Sequence, residues 1–268
     1  DPTLKVHREL GTGETILSGM GDTHLAVAAE KMARKFGVNV DLAIPKIAYR
    51  ETITIPVPKA EHKHKKQSGG HGQYGHAILE LTPLPDRGPC EFTERVVGGR
   101  VPKNFFPAVE KGVMEAYNSG GLAGYPVIGI RATLYDGSYH EVDSSEICFK
   151  IAGSQAFKKG MLEGRPILLE PVMNLKVTVP NDLTGDIISD LNTKRARVLG
   201  MNPQGNTNTI EAQAPLSEIQ RYTIDLKSMT QGRATYTIAF DHYEEVPANI
   251  TQKIVAQRQA EKGAEEKE

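Results

Sequence analysis

The run Gly70-His71-Gly72-Gln73-Tyr74-Gly75 has the spacing G-x-G-x-x-G, and the residues just after it decide its meaning. A dinucleotide site needs that spacing after a strand and at the start of a helix, where the first helical amides meet the pyrophosphate. Here it opens into residues 77–84, where Ile78 and Glu80 alternate with Leu79 and Leu81 before Pro83. A period of two is strand patterning. The glycines therefore read as a hairpin loop, free to take positive φ and to let backbone approach another surface closely. A second loop, Asp136-Gly137-Ser138-Tyr139-His140-Glu141 and on to Ser145, comes after the strand-like residues 127–135. Each loop combines glycine, an aromatic (Tyr74, Tyr139) and an imidazole (His71, His140), a set suited to lying against RNA.

At 268 residues the chain has room for two domains or three small ones. Its 39% hydrophobic and 24% charged residues are those of an ordinary globular protein. The net charge of −1 means that any RNA contact must come from local patches. Cys90 and Cys148 stand far apart in no CxxC pattern, which fits a cytoplasmic protein without disulfides. No apolar run has the length of a membrane span, and no signal peptide opens the chain.

Residues 4–10 and 15–20 read as strands around Gly11-Thr12-Gly13-Glu14. Asp22 is a fitting cap for a helix to Phe36, with Leu25, Ala28, Ala29, Met32, Ala33 and Phe36 on one face and Gly37 as its stop. Residues 38–49 read as extended. Residues 107–118 form an amphipathic helix ended by Gly120-Gly121, and a further helix runs from Ser144 or Ser145 toward Leu162, loosened near Gly153. From Pro171 the order is strand, helix (from Asn181 or Asp182), strand pair around Gly205-Asn206, helix 216–229 and strand 234–243. That is a complete βαββαβ unit, whereas the first module has only strand, strand, helix, strand. A tail from Pro247 begins helical and is irregular from Glu261.

His62, His64, His71 and His76 invite a zinc reading, but structural zinc sites usually include Cys and these lysine-flanked positions have none nearby, so no metal is expected. Lys63, Lys65 and Lys66 read as a basic strand that could face RNA. Lys194, Arg195 and Arg197 come after a helix and either complement its dipole or meet phosphate. Asp136, Ser138 and His140 supply the residue types of a hydrolytic triad, but loop neighbours rarely converge as a triad must, and no G-x-S-x-G is present. No catalytic residue is assigned. The absence of G-x-x-x-x-G-K-[ST] removes P-loop nucleotide binding.

Several long stretches together resemble the elongation factor G family, the ribosomal translocases. Ser18-Gly19-Met20-Gly21-Asp22-Thr23-His24-Leu25 is similar to the family's third-domain GMGELHL segment, with Asp22-Thr23 in place of the usual pair. Pro45–Ile53 resembles the link into the fourth domain. Gln67, Ser68, Gly69, Gly70, His71, Gly72, Gln73, Tyr74, Gly75 and His76 match the first tip loop of that domain, with His71 where Arg is common. Residues 136–145 match the second tip loop, including His140. Gly185–Asn192, Gly200-Met201 and Leu216-Ser217-Glu218 resemble the fifth domain.

The resemblance implies an α+β chain of three modules. Residues 1–54 would be part of domain III, a partial ferredoxin-like unit lacking its first strand and helix. Residues 55–170 would be domain IV, with a left-handed βαβ crossover like that of a ribosomal protein, and 171–248 a complete ferredoxin-like domain V. Residues 249–268 would form the terminal helix and tail. The start at Asp1 fits an excised C-terminal part, non-enzymatic itself, of a GTPase whose GTP and Mg lie in an absent G domain. Expected partners are both ribosomal subunits, the tRNA–mRNA pair in the decoding centre, large-subunit rRNA and stalk-base proteins, with the chain monomeric and no membrane involved. RNA contacts would come from Ser68 to His76 and from Asp136, Gly137, Ser138, Tyr139, His140 and Glu141. Translocation is the implied task. A recycling or ribosome-protecting paralogue is the alternative within the family, and a nucleotide-using α+β enzyme the alternative outside it.

Overall fold

The computed structural model describes residues 1–9, 12–67 and 72–265. Ser68, Gly69, Gly70 and His71 of the first loop therefore lie outside the described residues, as do Leu10, Gly11 and the last three residues of the tail. The chain divides into two compact units, one of residues 1–48 with 170–244 and the other of 49–169 with 245–268. No helix among the described residues is long and apolar enough to cross a membrane.

In the second unit, β4 (Val57–Lys66), β5 (Gln73–Pro83), β6 (Glu91–Glu94) and β7 (Ile130–Ser138) form a sheet ordered β4-β5-β7-β6. β5 is antiparallel to β4 and β7, and β6 runs parallel to β7. The crossover between those parallel neighbours carries α2 (Phe106–Ser119), and α3 (Glu146–Glu163) comes after β7. Ala77, Leu79 and Leu81 of β5 face inward and join Val109, Val113, Phe149, Ala152 and Phe157 in the core. The helix expected to loosen at Gly153 is continuous. Gly153 is there for proximity: a Cβ would lie 2.8 Å from the Val109 carbonyl oxygen, and one at Gly112 would lie 2.0 Å from that of Lys150. Glycine lets α2 and α3 touch backbone to backbone.

One carboxylate organises the end of this unit where β3 (Arg50–Ile53) lies. Glu51 is fully buried. Its Oε2 accepts the amides of Gly121 and Leu122 at 2.6 and 2.8 Å. Its Oε1 accepts those of Ala123, Gly124 and Tyr125 at 2.7, 2.7 and 3.0 Å. Converging amides of this kind form an anion nest. The Glu51 backbone bonds Pro126 and Ile128, and β3 pairs antiparallel with β8 (Pro166–Pro180) through Ile167, Leu168 and Leu169. Residues 50–53, which the resemblance put at the end of the first module, thus belong to the second unit. Arg258 of α7 (Ala248–Glu265) lies over the Tyr125 ring at 5.8 Å, and this helix extends past Glu261, where an irregular tail was expected.

In the first unit, β8 from Glu170 onward, β9 (Arg197–Gln204), β10 (Thr207–Pro215) and β11 (Thr235–Glu245) are ordered β11-β8-β10-β9. With α4 (Thr184–Thr193), α5 (Leu216–Ile219) and α6 (Tyr222–Thr230) this is the ferredoxin-like βαββαβ arrangement. Leu175, Val177, Ile187, Leu191, Ile210 and Tyr222 form its core. The helix expected over 216–229 is divided at Gln220-Arg221, where the Gln220 side-chain amide donates to the Pro45 carbonyl at 2.6 Å. The strand does not begin at Pro171 but runs through it from Pro166. β1 (Lys5–Arg8) and β2 (Thr15–Ser18) pair antiparallel, and α1 (Asp22–Phe36) ends at Gly37 with φ 66°. Residues 38–49 form no strand; Pro45 lacks the N–H for a ladder. Ala28 of α1 is buried and Leu25, Ala29, Met32 and Ala33 are half-buried, so its apolar face is open only at Phe36, which is 74% exposed.

Glu51→Ala is expected to destabilise the chain by upward of about 3 kcal/mol, because several buried amides lose their acceptor together. Glu51→Gln should cost nearly as much, since its NH2 would face N–H donors. The midpoint of urea denaturation checks both.

Candidate nucleic-acid interface

Two registers place the candidate residues together. β4 and β5 pair from Val57↔Leu81 out to Lys66↔Gln73, so Gln67 and Gly72 lie next to their shared end. His76 lies opposite Ser138 on β7, so the second loop leaves the sheet at that same end. A register shift between Ile78 and Leu79 makes Tyr135 an extra residue of β7. This bulge reverses the alternation. Ala132 and Leu134 point into the core, yet Ser138 faces outward beside His76 while Gly137 turns inward. A Cβ at Gly137 would lie 2.2 Å from the His76 carbonyl oxygen, and one at Gly75 2.5 Å from the Cys148 carbonyl. Only glycine fits either place.

The loops are tied to each other through Asp143. Its Oδ1 accepts the Gly72 amide at 3.0 Å, and its carbonyl accepts the Tyr74 amide at 2.8 Å. Ser144 Oγ donates to the Tyr74 carbonyl at 3.0 Å and accepts the His140 amide at 2.9 Å. His140 is exposed, and its Nδ1 accepts the amides of Val142 and Asp143 at 3.4 and 3.3 Å. Asp143 Oδ2 lies 3.3 Å from the same nitrogen. The Tyr74 and His140 rings are 6.4 Å apart. Together with Lys65, Lys66, Gln67, Gly72, Gln73 and Asp143 they line an open cleft of about 240 Å³. Lys63 Nζ stands 5.2 Å over the Tyr74 ring.

Lys65 and Lys66 are exposed and in no ion pair among the described residues, so the cleft has positive charge beside two rings. Tyr139 and Glu141 are exposed on the second loop. His64 Nε2 bonds Gln73 Oε1 at 3.1 Å, while His76 bonds Ser138 and Glu61. The Glu61 carboxyl is held below the ordinary carboxylate range, first by its bond from Lys59 and then by His76. The His62 imidazole is held below the ordinary range, mainly by burial, with His64, Lys159 and His76 adding like charge.

The triad chemistry of the second loop is absent from the geometry. Asp136 pairs with Arg100 and caps the Gly137 amide, Ser138 bonds Tyr74 and His76, and His140 bonds its own loop. A strand rather than a helix comes after Gly75, which removes the dinucleotide reading. Lys194, Arg195 and Arg197 belong to the other unit. Lys194 is paired with Asp225 at 2.7 Å, and Arg195 with Glu170 and Glu218 at 2.8 Å each, so two of these three charges are already committed. Asp143 and Ser144 escaped the sequence assignment of contacts, although a cluster Asp143-Ser144-Ser145 before a helix signals side chains that take backbone amides.

Three family models match this chain in tandem: elongation factor G domain III over residues 1–44, domain IV over 45–165 and the C-terminus over 167–254. The chain belongs to the elongation factor G family. Elongation factor G of Thermotoga petrophila is 51% identical over 257 residues, 95% of this chain and 37% of that protein. An elongation factor G-like protein of Thermotoga maritima is 49% identical over all of this chain and 39% of its own length. A solved structure from Thermus thermophilus superposes with a TM-score of 0.86 at 45% identity, over 97% of this chain and 39% of that one. The chain thus spans under two fifths of the length of these relatives, over elongation factor G domains III, IV and V, none of which is a catalytic domain.

Asp143→Ala is expected to free the Gly72 amide at a cost of about 1 kcal/mol, read as faster hydrogen exchange at that amide. In a carboxyl-carbon NMR titration, Glu61 should titrate below the ordinary range, and Lys59→Met should move it up more than His76→Gln does. Because the folded chain depresses this carboxyl, its contribution to stability is present above the ordinary range and is lost as pH falls through the lowered value.

Proposed function

We propose that this chain is the ribosome-engaging part of a translation elongation factor that promotes tRNA–mRNA translocation. The observation that carries the reading is the joining of the two loops at one end of the β4-β5-β7 sheet, around the cleft of Tyr74, His140, Lys65 and Lys66. Rings and exposed ammonium groups in an open concavity suit RNA recognised by backbone and shape. A factor that must accept every codon needs that mode, because base-specific bonds would favour some codons over others. In this reading the tip lies along the codon–anticodon helix in the decoding centre, and His140 touches the RNA backbone. Domain V meets large-subunit rRNA and stalk-base proteins. Lys194 and Arg195 serve its fold, and Arg197 is left as a candidate contact.

GTP and Mg belong to a GTPase domain of the whole factor. This chain's residues do not fit the nucleotide, since the sequence lacks a phosphate-binding P-loop. A recycling role is the second reading within the family.

The test replaces the matching region of the Thermotoga petrophila factor with this chain and measures single-round translocation and post-termination subunit splitting. His140→Ala is expected to slow translocation about tenfold, roughly 1.4 kcal/mol of barrier. Splitting without translocation assigns the recycling role; loss of neither on His140→Ala overturns the tip reading. In ribosome binding by the chain, Lys65→Gln and Lys66→Gln should each lower the logarithmic salt slope by about one.

A further inference from the structure

Behind the cleft, hydrogen bonds cross three strands without a gap. Lys59 Nζ meets Glu61 Oε2 at 2.7 Å, and Glu61 Oε1 meets His76 Nε2 at 2.9 Å. His76 Nδ1 meets Ser138 Oγ at 2.7 Å, and Ser138 Oγ meets Tyr74 Oη at 2.7 Å. When the imidazole is neutral, the chemistry of the first link fixes the direction of every later one. An ionised Glu61 only accepts, so His76 Nε2 carries the proton. In a neutral imidazole Nδ1 is then the acceptor, and Ser138 O–H donates to it. Ser138 has spent its one proton, so Tyr74 O–H donates to Ser138.

All of these side chains lie on the face of the sheet away from α2 and α3, where the backbone ladder needs no help from them. Residues 61, 76 and 138 are nevertheless only partly exposed and fully engaged. The chain of bonds ends on the ring that forms a wall of the cleft, under Lys63 and beside His140. The bulge at Tyr135 is what brings Ser138 to this face.

We propose that Glu61, His76 and Ser138 are positioning residues that hold the Tyr74 ring in one orientation as a fixed wall of the tip cleft. The inference rests on the RNA reading of that tip. It gives Tyr74 the role of a rigid platform for a ribose or base face, and it makes the hydroxyl an anchor rather than a contact. A ring already ordered before binding loses no rotamer freedom on contact.

The test is a double-mutant cycle on binding of the chain to bacterial ribosomes programmed with mRNA and tRNA. Tyr74→Phe, which keeps the ring, and His76→Gln are each expected to weaken binding about fivefold, the worth of one hydrogen bond, and the double variant no further. A readout independent of the ribosome goes with it. Imidazole nitrogen NMR should show His76 protonated at Nε2 and bare at Nδ1, and the Tyr74 ring should flip faster in His76→Gln. Additive losses, the opposite tautomer or an unchanged flip rate would each overturn the proposal. His140→Ala separates the two readings: if it weakens binding while Tyr74→Phe does not, the relay fails and the RNA tip stands. If neither changes binding, both fail.

Discussion

A single carboxylate with five amide donors is the constraint on which the second unit depends. Glu51 has no solvent, and its charge is balanced by dipoles of residues 121–125 rather than by an ion pair of its own among the described residues. A buried charge is tolerable only when its lone pairs are used. Using them curls the segment after α2 around the carboxylate, and Gly120 makes that curl possible: its φ is 64°, and a Cβ there would lie 2.4 Å from the Tyr125 carbonyl. The same glutamate's backbone bonds Pro126 and Ile128, so the approach of the chain to β7 is set at Glu51. β7 in turn carries the second loop. The anchor and the tip are the two ends of one strand's constraints.

The tip obeys a related logic with weaker groups. The second loop is held through hydrogen bonds to Gly72 and Tyr74 rather than by apolar burial of its exposed Tyr139 and Val142. Asp143 and Ser144 take and give bonds to Gly72 and Tyr74, which fixes these four residues against one another. Such a joint resists separation because an unpaired amide in this partly buried setting is costly, while its outer surface keeps rings and lysines free for a ligand. Net charge near zero is no obstacle. Paired charges cover much of the sheet's outer face, as in Glu80–Arg95, Glu91–Arg131 and Asp136–Arg100, while Lys65 and Lys66 at its end have no ion pair among the described residues.

Much of this was legible because it rests on local patterns. Alternation at 77–81 marked β5, glycines marked the stops at Gly37 and Gly120, and the βαββαβ order from β8 on came from periodicity. The loops' partnership was implied by resemblance and needed pairing registers to become geometry. What sequence could not give depended on distant chain. Gly153 read as a weak point until the facing backbone of α2 showed why no side chain fits. Lys194 and Arg195 read as cations for a helix dipole or a phosphate because Glu170, Glu218 and Asp225 are far away in sequence. Asp136, Ser138 and His140, close together in the chain, turn to three different sets of partners, one of them decided by a bulge that no propensity announces.

That bulge gives the last step. In a regular strand Ser138 would share the inward parity of Ala132 and Leu134, and its hydroxyl would point toward the apolar core. One extra residue moves it to the outer face, where His76 and Tyr74 satisfy it, and moves the side-chain-free Gly137 to the crowded side. The same shift re-aims the residues beyond it, so Tyr139 and His140 leave the sheet beside the first loop. Bulges concentrate where a strand must present function at its end. Here a defect of one residue meets three demands at once: a hydroxyl that needs partners, a tight packing site that needs glycine, and an exposed imidazole that needs a rigid support.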